Sequence, residues 1–260
     1  MNSNLYQHFR KSERPFIDYV GGLVSRSVGE YRPILTHFLN PRQCYILQVV
    51  VNGSGDVQVK FSGGYPNAEM KRALIFPRYF KPKLSDFNLA LVQVKYPLKF
   101  VNLRHSQILG TLMSCGIERK VVGDIVTDGR HWQFWVEKSL LSYLLVQIHQ
   151  INRNRVKLIQ VSVQKMIHPR SDWRNQFVVI SSLRIDNVIA TSFNLSRQRA
   201  KSLVKHGRVR LNWGTFDQPD GLLQPGDILS IRHFGRVKIR NLNGKSKKGK
   251  LKVVISIIKK

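Results

Sequence analysis

Arg197, Lys201 and Lys205 recur at i, i+4 and i+8 within a stretch that reads as a helix. That spacing sets three cations along one helix face. Like charges so placed repel, so the row costs stability unless an anion lies against it; a solvated face is the competing reading. The chemistry such a row suits is phosphate binding, and the cations continue past the helix with Arg208 and Arg210. A second basic run, Lys245-Ser246-Lys247-Lys248-Gly249-Lys250, belongs to a glycine-flanked segment that matches most of a P-loop. Leu251 stands where the loop needs Ser or Thr, and a strand pattern follows instead of a helix. The magnesium ligand and the helix dipole are both missing, so a solvated or phosphate-contacting hairpin loop is the better reading.

Catalytic chemistry finds little support. The eight histidines have no metal-ligand spacing, and no nucleophile–base pair follows from spacing alone. Cys44 and Cys115 are far apart and form no CxxC pair, so they read as buried free thiols of a reducing compartment. No cofactor and no metal site are expected. Residues 1–10 lack an apolar signal core, and no apolar run approaches the roughly 18 residues of a membrane span. The Leu140–Ile151 stretch is broken by Ser142, Gln147, His149 and Gln150. A soluble cytoplasmic protein is expected.

Charge places the phosphate-binding surface. The 260 residues carry 43 Lys+Arg against 15 Asp+Glu, a formal net charge of +28. That balance favours a polyanionic partner. Residues 183–260 hold 18 basic and 4 acidic residues, against 25 and 11 in residues 1–182, so each part has the same net charge. The final 78 residues therefore carry the concentrated footprint. Hydrophobic content of 42% supports packed cores, and the length suggests two or three domains of roughly 100 residues. An anionic membrane is the weaker partner, because no amphipathic basic anchor is evident.

The positioning elements can be read in order. Ser181 or Ser182 caps a helix through residues 183–190. Asn194-Leu195 breaks the chain, Ser196 caps the cationic helix, and Gly207 ends it. Strands follow at residues 208–213, 228–232, 233–239 and 251–258, with Gln224-Pro225-Gly226-Asp227 as a turn. Residues 168–176, polar and containing Pro169, read as a linker. Upstream, strands at residues 89–94, 123–127, 131–136 and 155–161 alternate with helices at 104–115 and 138–150. This β-α-β-β-α-β order fits a ferredoxin-like or RRM-like plait. Trp132 and Phe134 share one face of the third strand, so base stacking is open there, with packing as the alternative. The Gly129–Trp135 sequence does not satisfy the RNP1 pattern. In the first 80 residues, helices are expected near Leu5–Tyr19 and Pro33–Leu39, and strands at Tyr45–Val51 and Val57–Phe61. Gly63-Gly64-Tyr65-Pro66-Asn67 reads as a turn into a helix capped by Asn67.

Residues 183–240 resemble the S-four RNA-binding domain of a small-subunit ribosomal protein. Leu183-Arg184-Ile185-Asp186, Asn194-Leu195-Ser196-Arg197-Gln198-Arg199-Ala200, Gly207-Arg208-Val209-Arg210-Leu211-Asn212 and the Pro225-Gly226-Asp227 turn carry the resemblance. It implies two helices packed on a small sheet, with their basic side laid on structured RNA. The implied contacts are Arg184, Ser196, Arg197, Arg199, Lys201, Lys205, Arg208 and Asn212. Arg232, Arg236, Lys247 and Lys248 extend the set along the following strands and hairpin tip. Asp186 reads as a brace for its helix, and Trp213 is open between core packing and stacking. Enzymes that share this domain lack counterparts here. Gly129-Arg130 is followed by His131-Trp132, so the aspartate motif of a pseudouridine synthase is absent. Gly53-Ser54-Gly55 lacks the third glycine of a methyltransferase loop, and a tyrosyl-tRNA synthetase needs a longer chain.

Nearly the whole sequence resembles the YlmH family. The residues that carry this are Leu5–Lys11, Gly63-Gly64-Tyr65-Pro66-Asn67-Ala68-Glu69, Tyr96-Pro97-Leu98-Lys99-Phe100-Val101 and Gly123-Asp124-Ile125. The resemblance implies a multi-domain α+β protein. Residues 1–82 form an N-terminal α+β region, 83–165 the RRM-like domain, 166–180 a linker and 181–260 the S-four-like domain. It implies a monomeric, non-catalytic factor that binds rRNA and tRNA. Its setting is the ribosomal large subunit and peptidyl-tRNA, in ribosome-associated quality control. The alternative is an rRNA- or tRNA-modifying enzyme with an unrecognised site in residues 1–165.

Overall fold

The computed structural model describes Phe9 and residues 13–168 and 173–259. The chain divides into two compact units, Met1–Arg170 and Ser171–Lys260. The Leu5–Lys11 block, Phe9 apart, lies outside the described residues, as does most of the expected linker before Trp173.

The first unit opens with α1 (Arg14–Gly29), whose buried Ile17, Val20, Leu23 and Val24 keep a helical spacing. β1 (Ile34–Leu39) and α2 (Pro41–Asn52) reverse the sequence expectation, which had a helix and then a strand there. The Val49-Val50-Val51 run looks strand-like, but local capping decides. The Asn40 side chain accepts from Gln43 N at 2.9 Å, and the Gln43 side chain accepts from Asn40 N at 2.9 Å. Pro41 occupies the first turn, where its missing N–H costs nothing. Ile46, Leu47, Val50 and Val51 then face the core. β2 (Val57–Ser62) and β3 (Lys71–Pro77) complete an antiparallel sheet ordered β1-β3-β2.

No helix follows Asn67, contrary to expectation; the segment runs straight into β3. Asp124 holds the segment: its carboxylate accepts from Glu69 N at 2.7 Å, from Met70 N at 3.0 Å and from the Tyr65 hydroxyl at 2.7 Å, and from Lys71 on the chain pairs with β1 and β2.

The plait follows: β4 (Leu89–Lys95), α3 (His105–Ser114), β5 (Val122–Thr127), β6 (Trp132–Glu137), α4 (Leu141–Gln147), a small hairpin of β7 (Gln150–Ile151) and β8 (Asn154–Arg155), and β9 (Lys157–Val161). Sheet order is β5-β6-β4-β9 with antiparallel neighbours. The β-α-β-β-α-β reading is borne out. One sheet face packs on the helices through Val92, Val94, Phe134 and Val136 against Ile108, Leu112 and Leu144.

The second unit begins with β10 (Arg174–Ile180), inside the stretch expected to be linker. It pairs along most of the last strand, from Arg174 opposite Ile257 to Ile180 opposite Leu251. The apolar Phe177-Val178-Val179-Ile180 run is the strand signal, and its polar first half masked it. Next come α5 (Ile185–Phe193), α6 (Arg197–Lys205), β11 (Val209–Leu211), β12 (Gly214–Thr215), β13 (Ile228–Ile231), β14 (Gly235–Lys245) and β15 (Leu251–Lys259). The sheet order is β10-β15-β14-β13-β11-β12. Val237, Ile239, Val253, Ile255 and Ile257 meet Val188, Ile189, Ala200 and Val204 of the helices in one core.

Candidate nucleic-acid interface

In the second unit α6 is built as its sequence requires. Asn194 takes a left-handed conformation (φ 52°) to end α5, and the Ser196 hydroxyl accepts from Arg199 N at 3.2 Å. Gly207 (φ 65°) ends α6, with its N–H donated to Val204 O at 3.0 Å. Ala200 and Val204 are fully buried, and this turns Arg197, Lys201 and Lys205 to solvent. The basic surface continues where β11 meets β13. Arg232 N donates to Arg208 O at 2.9 Å, so these two exposed arginines sit side by side at one end of the sheet.

Asp186 is completely buried and accepts from Arg184 Nε at 3.2 Å and Nη2 at 3.3 Å. Arg197 Nη2 lies 3.5 Å from the same carboxylate. Burial works against the charge on Asp186, but Arg184 and Arg197 outweigh it and hold the carboxyl below its ordinary range. Asp186 is therefore a brace that joins the start of α5 to the start of α6. Arg184 is tied to this brace, with its guanidinium held in charged form by the Asp186 hydrogen bond.

Three other expected contacts have internal work. Asn212, in a left-handed turn (φ 46°), donates from Nδ2 to Asp227 Oδ1 at 2.7 Å and accepts from Ile228 N at 2.9 Å. It fastens the β11–β12 turn to the Pro225-Gly226-Asp227 turn and so has a structural role. The Ser196 hydroxyl is a cap. Arg236 is half-buried between two indoles, 5.4 Å from the Trp213 ring centroid and 5.6 Å from that of Trp173. Trp213 is half-buried against this guanidinium and is not part of the unit's hydrophobic core.

Phe234 was not read from the sequence. It lies in the short turn joining β13 to β14, with Arg199 5.7 Å over its ring and Phe193 edge-on at 6.0 Å. An aromatic between His233 and Gly235 in a two-strand turn was the available signal. Lys247 and Lys248 are exposed at the tip of the β14–β15 hairpin. There Ser246 N donates to Lys250 O at 2.7 Å and Gly249 N to Ser246 O at 2.9 Å. A closed turn followed by a strand is no P-loop, as the sequence predicted. Together Lys201 and Lys205 of α6, the Arg208–Arg232 pair and the hairpin tip present cations that have no ion pair among the described residues, an arrangement suited to phosphate oxygens, while Arg197 shares the Asp186 carboxylate.

In the first unit the structure decides against stacking at Trp132 and Phe134. Both point to the helices; Phe134 is buried and Trp132 packs beside it. The opposite face of the sheet is covered as well. Trp135 and Leu91 lie beneath Phe38, Met70 and Tyr65. Glycines allow that fit: a Cβ at Gly64 would lie 2.5 Å from the Trp135 ring, and one at Gly123 2.6 Å from Phe38. Gln133 donates to Lys165 O at 3.0 Å and accepts from Ile167 N at 2.9 Å. Glu137 is held by His37 Nδ1 at 2.7 Å and Arg72 Nη2 at 3.5 Å.

The carboxylate–histidine pairs do not assemble a reactive site. Asp128 is bound by His131 Nδ1 at 2.9 Å and by the backbone N–H groups of Arg130 and His131. Slight burial opposes ionisation, yet these bonds bring its carboxyl down to about 2. Burial pushes the Cys44 thiol up to about 12, which leaves it a poor nucleophile. No group of three or more His, Cys, Asp or Glu suited to a metal occurs among the described residues. No helix among them is long and apolar enough to cross a membrane.

Three family models match in sequence order: the N-terminal domain of YlmH over residues 12–80, the putative RNA-binding domain in YlmH over 82–165, and the S4 domain over 183–229. The chain is 40% identical over 251 residues to ribosome-associated protein quality control protein P2 of Bacillus subtilis, covering 96% of this chain and 97% of that one. It is 31% identical over 81 residues to the small ribosomal subunit protein uS4 of Fervidobacterium nodosum, a match spanning 31% of this chain and 39% of that protein. Among solved structures, the cell division protein ylmH from Streptococcus pneumoniae superposes with a TM-score of 0.56 at 34% identity, over 63% of this chain and 99% of that one. With three successive domains matched and a full-length relative at this identity, the chain belongs to the YlmH family.

Proposed function

We propose that this chain is a non-catalytic RNA-binding factor of ribosome-associated quality control. In this reading it engages structured rRNA and tRNA on the large subunit that carries peptidyl-tRNA, as a cytoplasmic monomer, while a stalled nascent chain is handled. The observation that carries the reading is the outward row of Arg197, Lys201 and Lys205 on α6, continued by Arg208 and Arg232. A phosphate backbone relieves the repulsion within that row and releases counterions as it binds. The full-length relative named for ribosome-associated quality control supplies the setting.

The contact set is narrowed to Arg197, Arg199, Lys201, Lys205, Arg208, Arg232, Lys247 and Lys248. Arg184 acts mainly through Asp186, and Ser196, Asn212 and Arg236 hold the scaffold. The test is cosedimentation of purified protein with large subunits that bear peptidyl-tRNA, over a salt series. The Arg197/Lys201/Lys205→Glu variant is expected to leave the ribosomal pellet, and Lys201/Lys205→Glu, which spares the Arg197–Asp186 pair, is expected to fold and to leave it too. Cosedimentation equal to that of the unmodified protein would remove α6 as the contact face.

A further inference from the structure

The plait sheet is closed on both faces, yet its domain carries a surface that no role above accounts for. Lys95 ends β4 directly opposite Lys157, which begins β9, and both are exposed. Like charges opposed across neighbouring strands destabilise a sheet. Beyond Lys95 the chain makes a tight turn, with Phe100 N and Val101 N both donating to Pro97 O at 3.1 Å. Phe100 is 87% exposed, the most of any large apolar side chain among the described residues. The turn is anchored, because Leu103 is buried and Tyr96 and Val101 pack on the plait core. Lys99 precedes Phe100, and Arg104 caps α3. The Tyr96 hydroxyl donates to Arg130 O and so brings Arg130 alongside. None of these five cations has an ion pair among the described residues. The nearby acid, Asp128, is already engaged by His131 and Arg130 N.

We propose that residues 95–104, with Arg130 and Lys157, form a second RNA-contact surface on which Phe100 stacks against an unpaired base. The surrounding cations take the flanking phosphates. An exposed ring on an anchored turn, among unpaired cations, matches a nucleotide on both counts: the ring meets the base and the charges meet the backbone. Every base offers a π-face, so the contact is tolerant of sequence. The proposal rests on the RNA-binding reading above and extends it to the first unit, by a surface other than the sheet.

The experiment is fluorescence anisotropy of the full chain with a labelled oligouridylate, beside cosedimentation with large subunits. Phe100→Ala alters an exposed side chain, so the fold should stand, and affinity for the oligouridylate should drop about tenfold. Phe100→Tyr should retain affinity, whereas Phe100→Leu should not, because leucine is apolar without a π-face. Lys95/Lys99/Lys157→Ala should make the salt dependence shallower by about 2 log units, from roughly 0.7 for each single-strand phosphate. Unchanged oligouridylate affinity in Phe100→Ala overturns the proposal. So does loss of subunit binding with oligouridylate affinity intact, which would identify a protein partner. The α6 charge-reversal variant runs in parallel. If Phe100→Ala keeps its oligouridylate affinity while the α6 variant loses subunit binding, this proposal falls and the reading above stands. If Phe100→Ala loses RNA while the α6 variant binds normally, the α6 contact face falls and this proposal stands.

Discussion

The plait sheet and the C-terminal sheet use one face alike and the other differently. Each buries an apolar face under two helices. The second face of the plait is roofed by Phe38, Met70 and Tyr65 over Trp135, and its polar Gln133 and Glu137 are fully occupied within the unit. The second face of the C-terminal sheet keeps Arg210 exposed opposite Ser230, with Arg236 on the next strand packed on Trp173 and Trp213. Its helix α6 turns further cations outward. Aromatic residues in a strand thus do not make a base-stacking platform. What decides is whether neighbouring sequence supplies a lid, and Gly63-Gly64-Tyr65 supplies one here. The plait has an RRM-like order of elements, but both faces of its sheet are packed within the unit.

The largest expected effect tests the open side of the comparison. Arg197/Lys201/Lys205→Glu replaces three attractions with three repulsions, and affinity for large subunits should fall about a thousandfold, or about 4 kcal/mol. Titration of subunit binding at fixed salt checks it. The next tests the sealed side. Asp124→Ala strips the acceptor from Tyr65 Oη, Glu69 N and Met70 N. The lid then loses its anchor, at a cost of about 3 kcal/mol to the first unit. Hydrogen exchange should show faster exchange at residues 63–76 and 132–137, with residues 183–259 unchanged. If exchange rises in both units, the two do not act separately.

A third prediction concerns acid. Asp186 holds its charge to lower pH in the fold than in the unfolded chain, where a carboxyl titrates near 3.9. Its contribution is therefore complete above about pH 5 and is lost as pH falls through and below that ordinary value. Asp186→Asn should cost the second unit about 2 kcal/mol at neutral pH and flatten the acid limb of its stability. The α6 surface should loosen with it, because Arg197 is paired to the same carboxylate. A smaller effect is expected at the hairpin tip. Lys247/Lys248→Ala should leave stability unchanged and lower the salt slope of RNA binding by about 1.8, two phosphates at roughly 0.9 each.

The C-terminal unit was the more legible because its signals are local. Ser196, Gly207 and the apolar positions of α6 fix the helix and the direction of its cations within a dozen residues. The β-α-β-β-α-β order was equally readable, since each element has its own period. The errors share a cause. Tyr45–Val51 has the composition of a strand, and only the reciprocal Asn40–Gln43 cap makes it a helix. β10 has a polar first half, and only its partner β15 makes it a strand. Asn212 and Arg236 look like surface chemistry until Asp227 and Trp173 are brought beside them from 15 or more residues away. Type and spacing reveal a local face; they do not reveal what a distant segment lays on it.

Phe134→Leu is the smallest change and the sharpest test of that last point. The substitution keeps most of the buried volume in the core between the sheet and its helices, so it should cost the first unit about 1 kcal/mol. Since Phe134 is 1% exposed and faces away from the lid, RNA affinity should not move. A measurable loss of affinity, with the fold intact, would mean that the plait repacks when RNA binds and offers this ring as a platform. The sealed and open sheets would then be two states of one design rather than two designs. An unchanged affinity, set beside a loss in Phe100→Ala, would instead place the domain's stacking residue on its edge turn, outside the sheet altogether.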